Sequence, residues 1–333
     1  MKIISIGEIL WDVFGSQEFL GGAPLNFAVN SQRLGSSATV FSAVGDDPRG
    51  RRALEMMEQL AFSSEFVQVV SDAATGAAII TSDGAGDASF SIERPAAFDC
   101  LHVTEDLLAQ LASWQPGWIY FGTLAQTNPR NEEMLHTLLS LTPQARRFYD
   151  MNLRQGHWNA ALVERLSTLA SVLKLNEAEA KTLWELASPV HPFSLDDFCR
   201  LWSSTYDIDV ICTTLGEEGC AVFSQESLNY YPGFSVKVLD TVGAGDAFSA
   251  AFLRGLDQGW PMERNAEFAN ALGAIVASRA GATPPWSEAD CLELIAGTGI
   301  SDEEIKNNAE NLTASLNDQR VGTTGRQRKK NKV

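Results

Sequence analysis

The chain has 333 residues, which is enough for one large domain with a substantial buried core and excludes an isolated small module. Its 42 aspartate and glutamate residues outnumber its 25 lysine and arginine residues, and the net charge of −17 makes nucleic acid and anionic membrane surfaces unsuitable partners. Five cysteines without a CxxC pair, and the lack of any apolar run near the roughly 20 residues of a membrane helix, predict a soluble cytoplasmic protein with reduced thiols.

Short β-rich segments alternate with segments of helical spacing along most of the chain. Strands are predicted at residues 2–6, 38–44, 118–121, 147–151, 172–175 and 210–213, and helices at residues 24–34, 105–111, 132–141 and 177–186. Such alternation predicts an α/β fold with a doubly wound, mostly parallel sheet. The ligands of such sheets bind at the carboxyl ends of the strands.

Two stretches depart from this alternation. Residues 66–92 show no helical pattern, which is typical of an antiparallel flap over a binding site. Their strand-like pieces are 66–70, 77–81 and 89–92, with a turn at 83–86. Farther along, apolar residues at helical spacing predict a helix over 301–316, and the basic residues that follow predict a disordered tail over 317–333.

The strongest local signal is the run Asp-Thr-Val-Gly-Ala-Gly-Asp at residues 240–246, which follows the strand-like residues 234–239 and leads into a helix. With glycine at 243 and 245, backbone N–H groups can converge on an anion at the positive end of the helix dipole. Asp246 lies one position beyond this turn, where it can take the proton of a hydroxyl that attacks a held phosphoryl group. The run therefore predicts phosphoryl transfer. The alternative is a tight turn in which Asp246 only caps a helix.

Polar residues near the start of the chain predict a polyol site. Gly21 and Gly22 allow the backbone to approach a flat polar ligand, and Asn26, early in the following helix, offers a donor and an acceptor. Asp12 follows the first strand and can accept hydroxyl protons. Taken alone, these residues are also common as turn glycines, helix polar residues and surface acids.

Taken together, residues 21–28, 44–50 and 240–248 resemble the two signatures of the ribokinase-like (PfkB) carbohydrate kinases, and the similarity extends over residues 7–285. The resemblance implies a kinase domain over residues 1–300 with the ribokinase-like fold, in which a small β-sheet lid spans residues 12–21 and 66–94. It also implies transfer of phosphate from ATP to a sugar, with Asp246 as the catalytic base and Gly243, Ala244 and Gly245 as the anion hole. Open edges of lid strands often pair between protomers in this family, which implies a homodimer through the lid.

The resemblance extends to further residues of the sugar site. Asp150-x-Asn152-x-Arg154 is similar to an element of fructokinases and 2-keto-3-deoxygluconate kinases. This implies that Asn152 lies at the sugar and that Arg154 bridges sugar oxygens and the transferring phosphate. Arg94 matches an arginine that closes over the sugar in the family.

The nucleotide and metal sites are implied in the same way. Asn176-x-x-Glu179 is similar to a family motif in which the glutamate holds Mg²⁺, often through water, and the asparagine lies near the phosphates. Asp240 matches a position that binds a monovalent cation such as K⁺ in several relatives. The remaining residues implied for the nucleotide site are Thr214, Gly216, Gly219, Asn270 and Gly281.

The sugar itself is the open part of this interpretation. The motifs around Asn26 and Arg154 look most like the fructokinase branch, and 2-keto-3-deoxygluconate kinase is the second candidate. Adenosine kinase and ribokinase also remain open, because one hydrogen-bond partner in the pocket can change the substrate. A sugar-binding regulator without catalysis is the non-enzymatic alternative. The presence of Asp246 and Glu179 argues against a regulator, because binding alone needs no base beside a phosphate cradle.

Overall fold

The structure is a computed structural model that describes residues 1–82 and 88–297. The predicted turn at 83–86, helix at 301–316 and tail at 317–333 lie outside these residues. No helix in the described part of the chain is long and apolar enough to cross a membrane. All five cysteines lie in that part and are free thiols.

The described chain forms thirteen strands and ten α-helices. The strands are β1 (Lys2–Ile6), β2 (Leu10–Phe14), β3 (Gln17–Gly21), β4 (Ser37–Gly45), β5 (Val67–Val70), β6 (Gly76–Ser82), β7 (Ala88–Ile92), β8 (Trp118–Gly122), β9 (Arg146–Asp150), β10 (Val172–Asn176), β11 (Val210–Thr214), β12 (Gly219–Ser224) and β13 (Ser227–Pro232). The helices are α1 (Ala23–Arg33), α2 (Pro48–Gln59), α3 (Glu105–Ser113), α4 (Pro129–Leu141), α5 (Ala160–Ser167), α6 (Glu177–Ala187), α7 (Leu195–Tyr206), α8 (Ala244–Asp257), α9 (Met262–Ala277) and α10 (Glu288–Gly297).

The strands form one large and one small sheet. The large sheet has nine strands in the order β13-β12-β11-β10-β9-β8-β1-β4-β5, and only β12, next to one edge, runs antiparallel to its neighbours β11 and β13. The small sheet has four strands in the order β3-β2-β6-β7, with a parallel pair at its centre and antiparallel pairs outside. The predicted α/β fold with a mostly parallel sheet and a smaller second sheet is confirmed.

Both faces of the large sheet are buried, which explains why its strands are continuous apolar runs. Ile3 on one face belongs to a core that includes residues of α1, α8 and α9. Ile4 on the other face belongs to a core that includes residues of α3 to α7. The sheet is therefore doubly wound, and the carboxyl ends of its parallel strands remain free to carry a site.

The segment at 66–70 does not belong to the flap in which the sequence pattern placed it. Val67–Val70 instead forms β5 and pairs in parallel with β4 at the edge of the large sheet. The pairing buries Phe66 and Val70 in the core under that edge. The small sheet takes β2 and β3 as its other two strands, and these follow directly after β1.

The segment at 234–239 also differs from its prediction. These residues lie in the described part of the chain, yet they join neither sheet. The amides of Leu239 and Asp240 at its end both donate to the carbonyl of Ala277, at 2.9 and 3.1 Å. Apolar alternation alone did not distinguish this loop, which packs beside α9, from a strand.

Ion pairs, a cation–π contact and a hydrogen bond connect the small sheet to α2. Glu18 on β3 pairs with Arg49 at 2.7 Å and with Arg52 at 2.6 Å. The guanidinium of Arg52 also lies 4.3 Å from the ring centre of Trp11 on β2, and the Trp11 Nε1–H donates to the Arg49 carbonyl at 3.1 Å. These contacts hold the small sheet at the carboxyl edge of β1 and β4.

Candidate active site

Residues far apart in the sequence meet at the carboxyl edge of the large sheet. The Asn26 Nδ2–H of α1 donates to Asp246 Oδ2 of α8 at 2.9 Å. Asp150 ends β9, and its carboxylate accepts a hydrogen bond at 2.8 Å from the Ser249 hydroxyl, one turn after Asp246. The edge therefore brings together the amino-terminal turns of two helices and the ends of central strands.

The glycine turn before α8 has a shape that only glycine allows. Gly243 precedes the helix with φ of +78°, and an added Cβ would lie 2.0 Å from the carbonyl oxygen of Ala282. No side chain among the described residues caps this helix end. The Asp240 carboxylate holds the loop in place by accepting the N–H of Val242 and of Gly281, each at 3.0 Å. The Ala244 N–H donates to the Thr241 carbonyl at 3.3 Å, and the start of α8, which has no side-chain cap, presents the positive end of its dipole to an anion.

The pKa of the Asp246 carboxyl group is shifted toward neutral pH. It is 8% exposed, and burial, reinforced by the charge of Asp150, raises its pKa to about 6. The charges of Lys174 and Arg154 and the hydrogen bond from Asn26 act in the opposite direction. A buried carboxylate with this pKa is suited to accept a proton at physiological pH.

Two other carboxyl groups share this surface. Burial raises the pKa of Asp12 to about 6, and Arg154 opposes this effect. Glu8, which the sequence analysis missed, is buried, and burial raises its pKa to about 7. Its Oε2 has no hydrogen-bond partner in the described part of the chain. The only signal for Glu8 was its place two residues after the end of β1, and nothing in the surrounding sequence indicates that its side chain is buried.

The three other residues proposed for the sugar occupy different surroundings. Arg154 is exposed, and its charge acts on Asp12 and Asp246. The Asn152 Nδ2 is buried and has no partner within residues 1–82 and 88–297. Arg94 is instead paired with Asp99, with Nε 3.0 Å from Oδ2. The structure therefore brings Arg154 to the Asp246 site and turns Arg94 toward a neighbouring cavity of about 690 Å³ that Trp158 also lines.

Glu179 and Asn176 form the start of α6. Each caps the other, because the Asn176 N–H donates to Glu179 Oε2 at 2.8 Å and the Glu179 N–H donates to Asn176 Oδ1 at 2.9 Å. The second Glu179 oxygen accepts the Leu153 N–H at 2.7 Å. Across residues 1–82 and 88–297, no group of three or more His, Cys, Asp or Glu side chains could hold a metal ion. The structure thus offers a single carboxylate here, not a protein-built metal cage.

A cavity of about 290 Å³ lies beside the first turn of α8. Four of the residues predicted for the nucleotide line it, namely Thr214, Gly216, Gly219 and Asn270. Asn270 also supports the wall, since its Nδ2–H donates to the carbonyls of Tyr231 and Pro232 at 3.1 and 2.9 Å. Gly281 does not line this cavity. It lies behind the glycine turn, where its N–H donates to Asp240 Oδ2 at 3.0 Å.

The apolar wall of this cavity was not predicted from the sequence. It is formed by Phe234, Val236, Val238 and Phe248, with Ala244 and Gly245 at the end nearest the glycine turn. An apolar slot of this size that opens onto helix amides suits a planar base with phosphates attached.

Comparisons with known proteins agree with this geometry. A family model described as pfkB family carbohydrate kinase matches residues 7–289. The chain is 29% identical to fructokinase-1 of Zea mays over 319 residues, which cover 88% of this chain and 97% of the relative. It is 30% identical to a fructokinase of Escherichia coli over 279 residues, which cover 79% of this chain and 87% of the relative. A crystal structure of fructokinase with bound ATP from Xylella fastidiosa has the same fold, with a TM-score of 0.79 and 22% identity over 90% of this chain and 99% of that chain.

Proposed function

Because the chain belongs to the pfkB family of carbohydrate kinases and is an ATP-dependent sugar kinase, we propose that it phosphorylates fructose, with Asp246 as the general base. The observation that carries the proposal is the position of Asp246. Its buried carboxylate lies on the first turn of α8, directly after the glycine turn and next to a cavity that suits a nucleotide. Relatives named fructokinase over most of the chain support the choice of sugar.

The proposed reaction uses groups already placed at the edge of the sheet. Asp12, Asn26 and Asn152, together with the Gly21–Gly22 backbone, bind the sugar hydroxyls. Asn26 holds Asp246 Oδ2, which leaves Oδ1 to take the proton as the sugar oxygen attacks the γ-phosphorus. The amides of Gly243, Ala244 and Gly245 hold the phosphoryl oxygens, and Arg154 neutralises charge on them. The small sheet would act as a lid that excludes water and brings Arg94 to the sugar.

The nucleotide and ions are part of the same proposal. The adenine of ATP would occupy the cavity lined by Thr214, Gly216, Gly219 and Asn270, with Asn176 toward the phosphates and Gly281 supporting the turn. A single carboxylate, Glu179, whose two oxygens already accept backbone N–H groups, fits a Mg²⁺ held mainly by phosphates and water. Bound Mg²⁺ would neutralise phosphate charge. A K⁺ ion would share the remaining lone pairs of Asp240, which already accepts two N–H groups.

The open edge of the small sheet supports a further part of the proposal. Strand β3 lies at one edge of that sheet, and an edge strand can pair with its copy across a two-fold axis. We therefore propose a homodimer through the lid. Light scattering after size exclusion tests it, and a monomer at all concentrations would contradict it.

The Asp246→Asn variant tests the assignment of the base. The expected result is a protein that folds and binds ATP but loses about 10²- to 10⁴-fold in kcat. Asp257→Asn is the matched control, because Asp257 is an exposed acid at the far end of α8, and it should keep full activity. Release of ADP is measured with fructose, 2-keto-3-deoxygluconate, ribose and adenosine. Near-normal turnover by Asp246→Asn would refute the base, and a preference for another sugar would refute fructose.

A further inference from the structure

A buried ion pair lies directly beneath the glycine turn. Lys174 on β10 and Asp150 on β9 face each other across neighbouring parallel strands, with Nζ 3.0 Å from Oδ1. Their side chains are 6% and 0% exposed. A Cβ added to Gly245 would lie 3.3 Å from Lys174 Nζ, so the ammonium group touches the backbone that carries Asp246.

Stability alone does not explain this pair. Burying two charges removes both from water, and replacing such a pair with apolar side chains is often neutral or stabilising. Val172, which lies on the same face of β10 two residues before Lys174, is fully buried and apolar, so an apolar residue would suit this face of the strand. Position 174 nevertheless holds a charge, which indicates a role at the neighbouring site.

Asp150 connects the pair to α8. Its carboxylate accepts hydrogen bonds from Lys174 on β10, from the Tyr120 hydroxyl on β8 at 3.0 Å, and from the Ser249 hydroxyl on α8 at 2.8 Å. Ser249 lies three residues after Asp246 on the same helix. The carboxylate thus fixes the start of α8 to two strands, but it also places a negative charge near the proposed base, and this charge raises the pKa of Asp246.

We infer that Lys174 is a positioning residue for Asp246: its buried ammonium group neutralises Asp150, and Asp246 therefore remains a carboxylate at working pH. The inference rests on the proposed function, in which Asp246 is the base. The titratable and polar groups that act on Asp246 come from every neighbouring element, and they are Asn26, Glu8, Tyr120, Asp150, Arg154 and Lys174. Only Lys174 and Arg154 among them are cations, and Arg154 is exposed to screening by salt.

Lys174 itself stays charged in this setting. Burial acts to lower its pKa, but the carboxylates of Asp150, Glu179 and Asp246 outweigh burial, and the pKa lies above its usual value. Removing the ammonium group would leave Asp150 uncompensated and raise the pKa of Asp246. Removing the charge of Asp150 would have the opposite effect. The two changes should therefore move the acidic limb of the activity profile in opposite directions.

The experiment compares the pH dependence of kcat/KM for four proteins: wild type, Lys174→Met, Asp150→Asn and the double variant. The acidic limb should shift up by about one pH unit or more in Lys174→Met, shift down in Asp150→Asn, and return toward the wild-type position in the double variant. Lys181→Met is the control, since Lys181 on α6 is exposed and paired with Glu177 at 2.8 Å, and its profile should not change. A purely structural lysine would lower activity without moving the limb.

The outcomes separate the inference from the proposed function. Circular dichroism shows whether Lys174→Met folds. If it does not, the inference is tested by the acidic limbs of Asp150→Asn and of the double variant, which buries neither charge of the pair. A limb that stays fixed in Asp150→Asn, or that moves the same way in both single variants, overturns the inference. If the limbs stay fixed while Asp246→Asn is inactive, only the inference fails. If Asp246→Asn is fully active, the proposed function fails first.

Discussion

Replacement of Gly243 by alanine tests the geometry of the proposed anion hole. A left-handed backbone costs an alanine about 1–2 kcal/mol, and Gly243 has φ of +78°. The new Cβ would also lie 2.0 Å from the Ala282 carbonyl oxygen, and relief of such overpacking adds about 1–3 kcal/mol. The total loss in the free energy of unfolding should therefore be about 2–5 kcal/mol.

Gly259 provides a control with the same backbone and no collision. It has φ of +64°, and an added Cβ meets no described atom within 4 Å, so Gly259→Ala should lose only the backbone cost of about 1–2 kcal/mol. Urea unfolding followed by the fluorescence of the eight tryptophans measures both variants, and calorimetry measures ATP binding. Gly243→Ala should also lose ATP binding, which Gly259→Ala should keep. Equal destabilisation of the two variants, with ATP binding intact in both, would refute the close approach to Ala282.

Two further predictions follow from the electrostatics of the site. Burial raises the pKa of Asp246 to about 6 and of Glu8 to about 7 in the folded protein, so the stability these groups contribute is present at low pH and is lost as the pH rises through these values. The ligand-free protein should therefore melt at a higher temperature at pH 5.5 than at pH 8, and an Asp246→Asn, Glu8→Gln double variant with the same pH slope as wild type would contradict this. Asn26→Leu removes the donor to Asp246, and because a hydrogen bond to a charged group contributes about 1.5–3 kcal/mol, kcat/KM should fall about ten- to hundredfold. Steady-state kinetics measures this loss, with Gln32→Leu as the control. Gln32 lies on the same helix, but its side-chain amide donates to the Ala61 carbonyl, so its replacement should leave kcat/KM unchanged.

The fold was predictable because its signals are local. Apolar strands such as Val172–Asn176 lie between helices with clear caps, and the family signatures add a specific topology. Val67–Val70 was misplaced because nothing in its own four residues identifies β4 as its partner, since parallel neighbours are chosen by contacts distant in the sequence. The loop at 234–239 was misread for a similar reason, because the Leu239 amide at its end donates to the Ala277 carbonyl of α9 and not to a neighbouring strand.

The candidate site was predictable only where residues carry their chemistry in a motif. Asp246 and Asn26 were identified in this way, and the structure brings them into direct contact. Lys174 and Glu8 were missed, because a lysine within an apolar strand and a glutamate after a strand have no distinguishing neighbours in sequence. Their importance comes from burial and from charges on other elements. Arg94 and Asp99 are only five residues apart, but no sequence pattern indicated that the turn between them would pair their side chains.

The hydrogen bond between Asn26 and Asp246 joins positions separated by 220 residues. Closing so long a segment is entropically costly, and contacts of this kind form slowly. Because the two partners lie so far apart in the sequence, a growing polypeptide on the ribosome cannot build the proposed reaction centre until most of the molecule has been synthesised. A fragment that ends before residue 240 has neither the glycine turn nor the proposed base. Recovery of catalysis after denaturation consequently reports that α1 and α8 have packed together. A measurement of helix content does not report this contact.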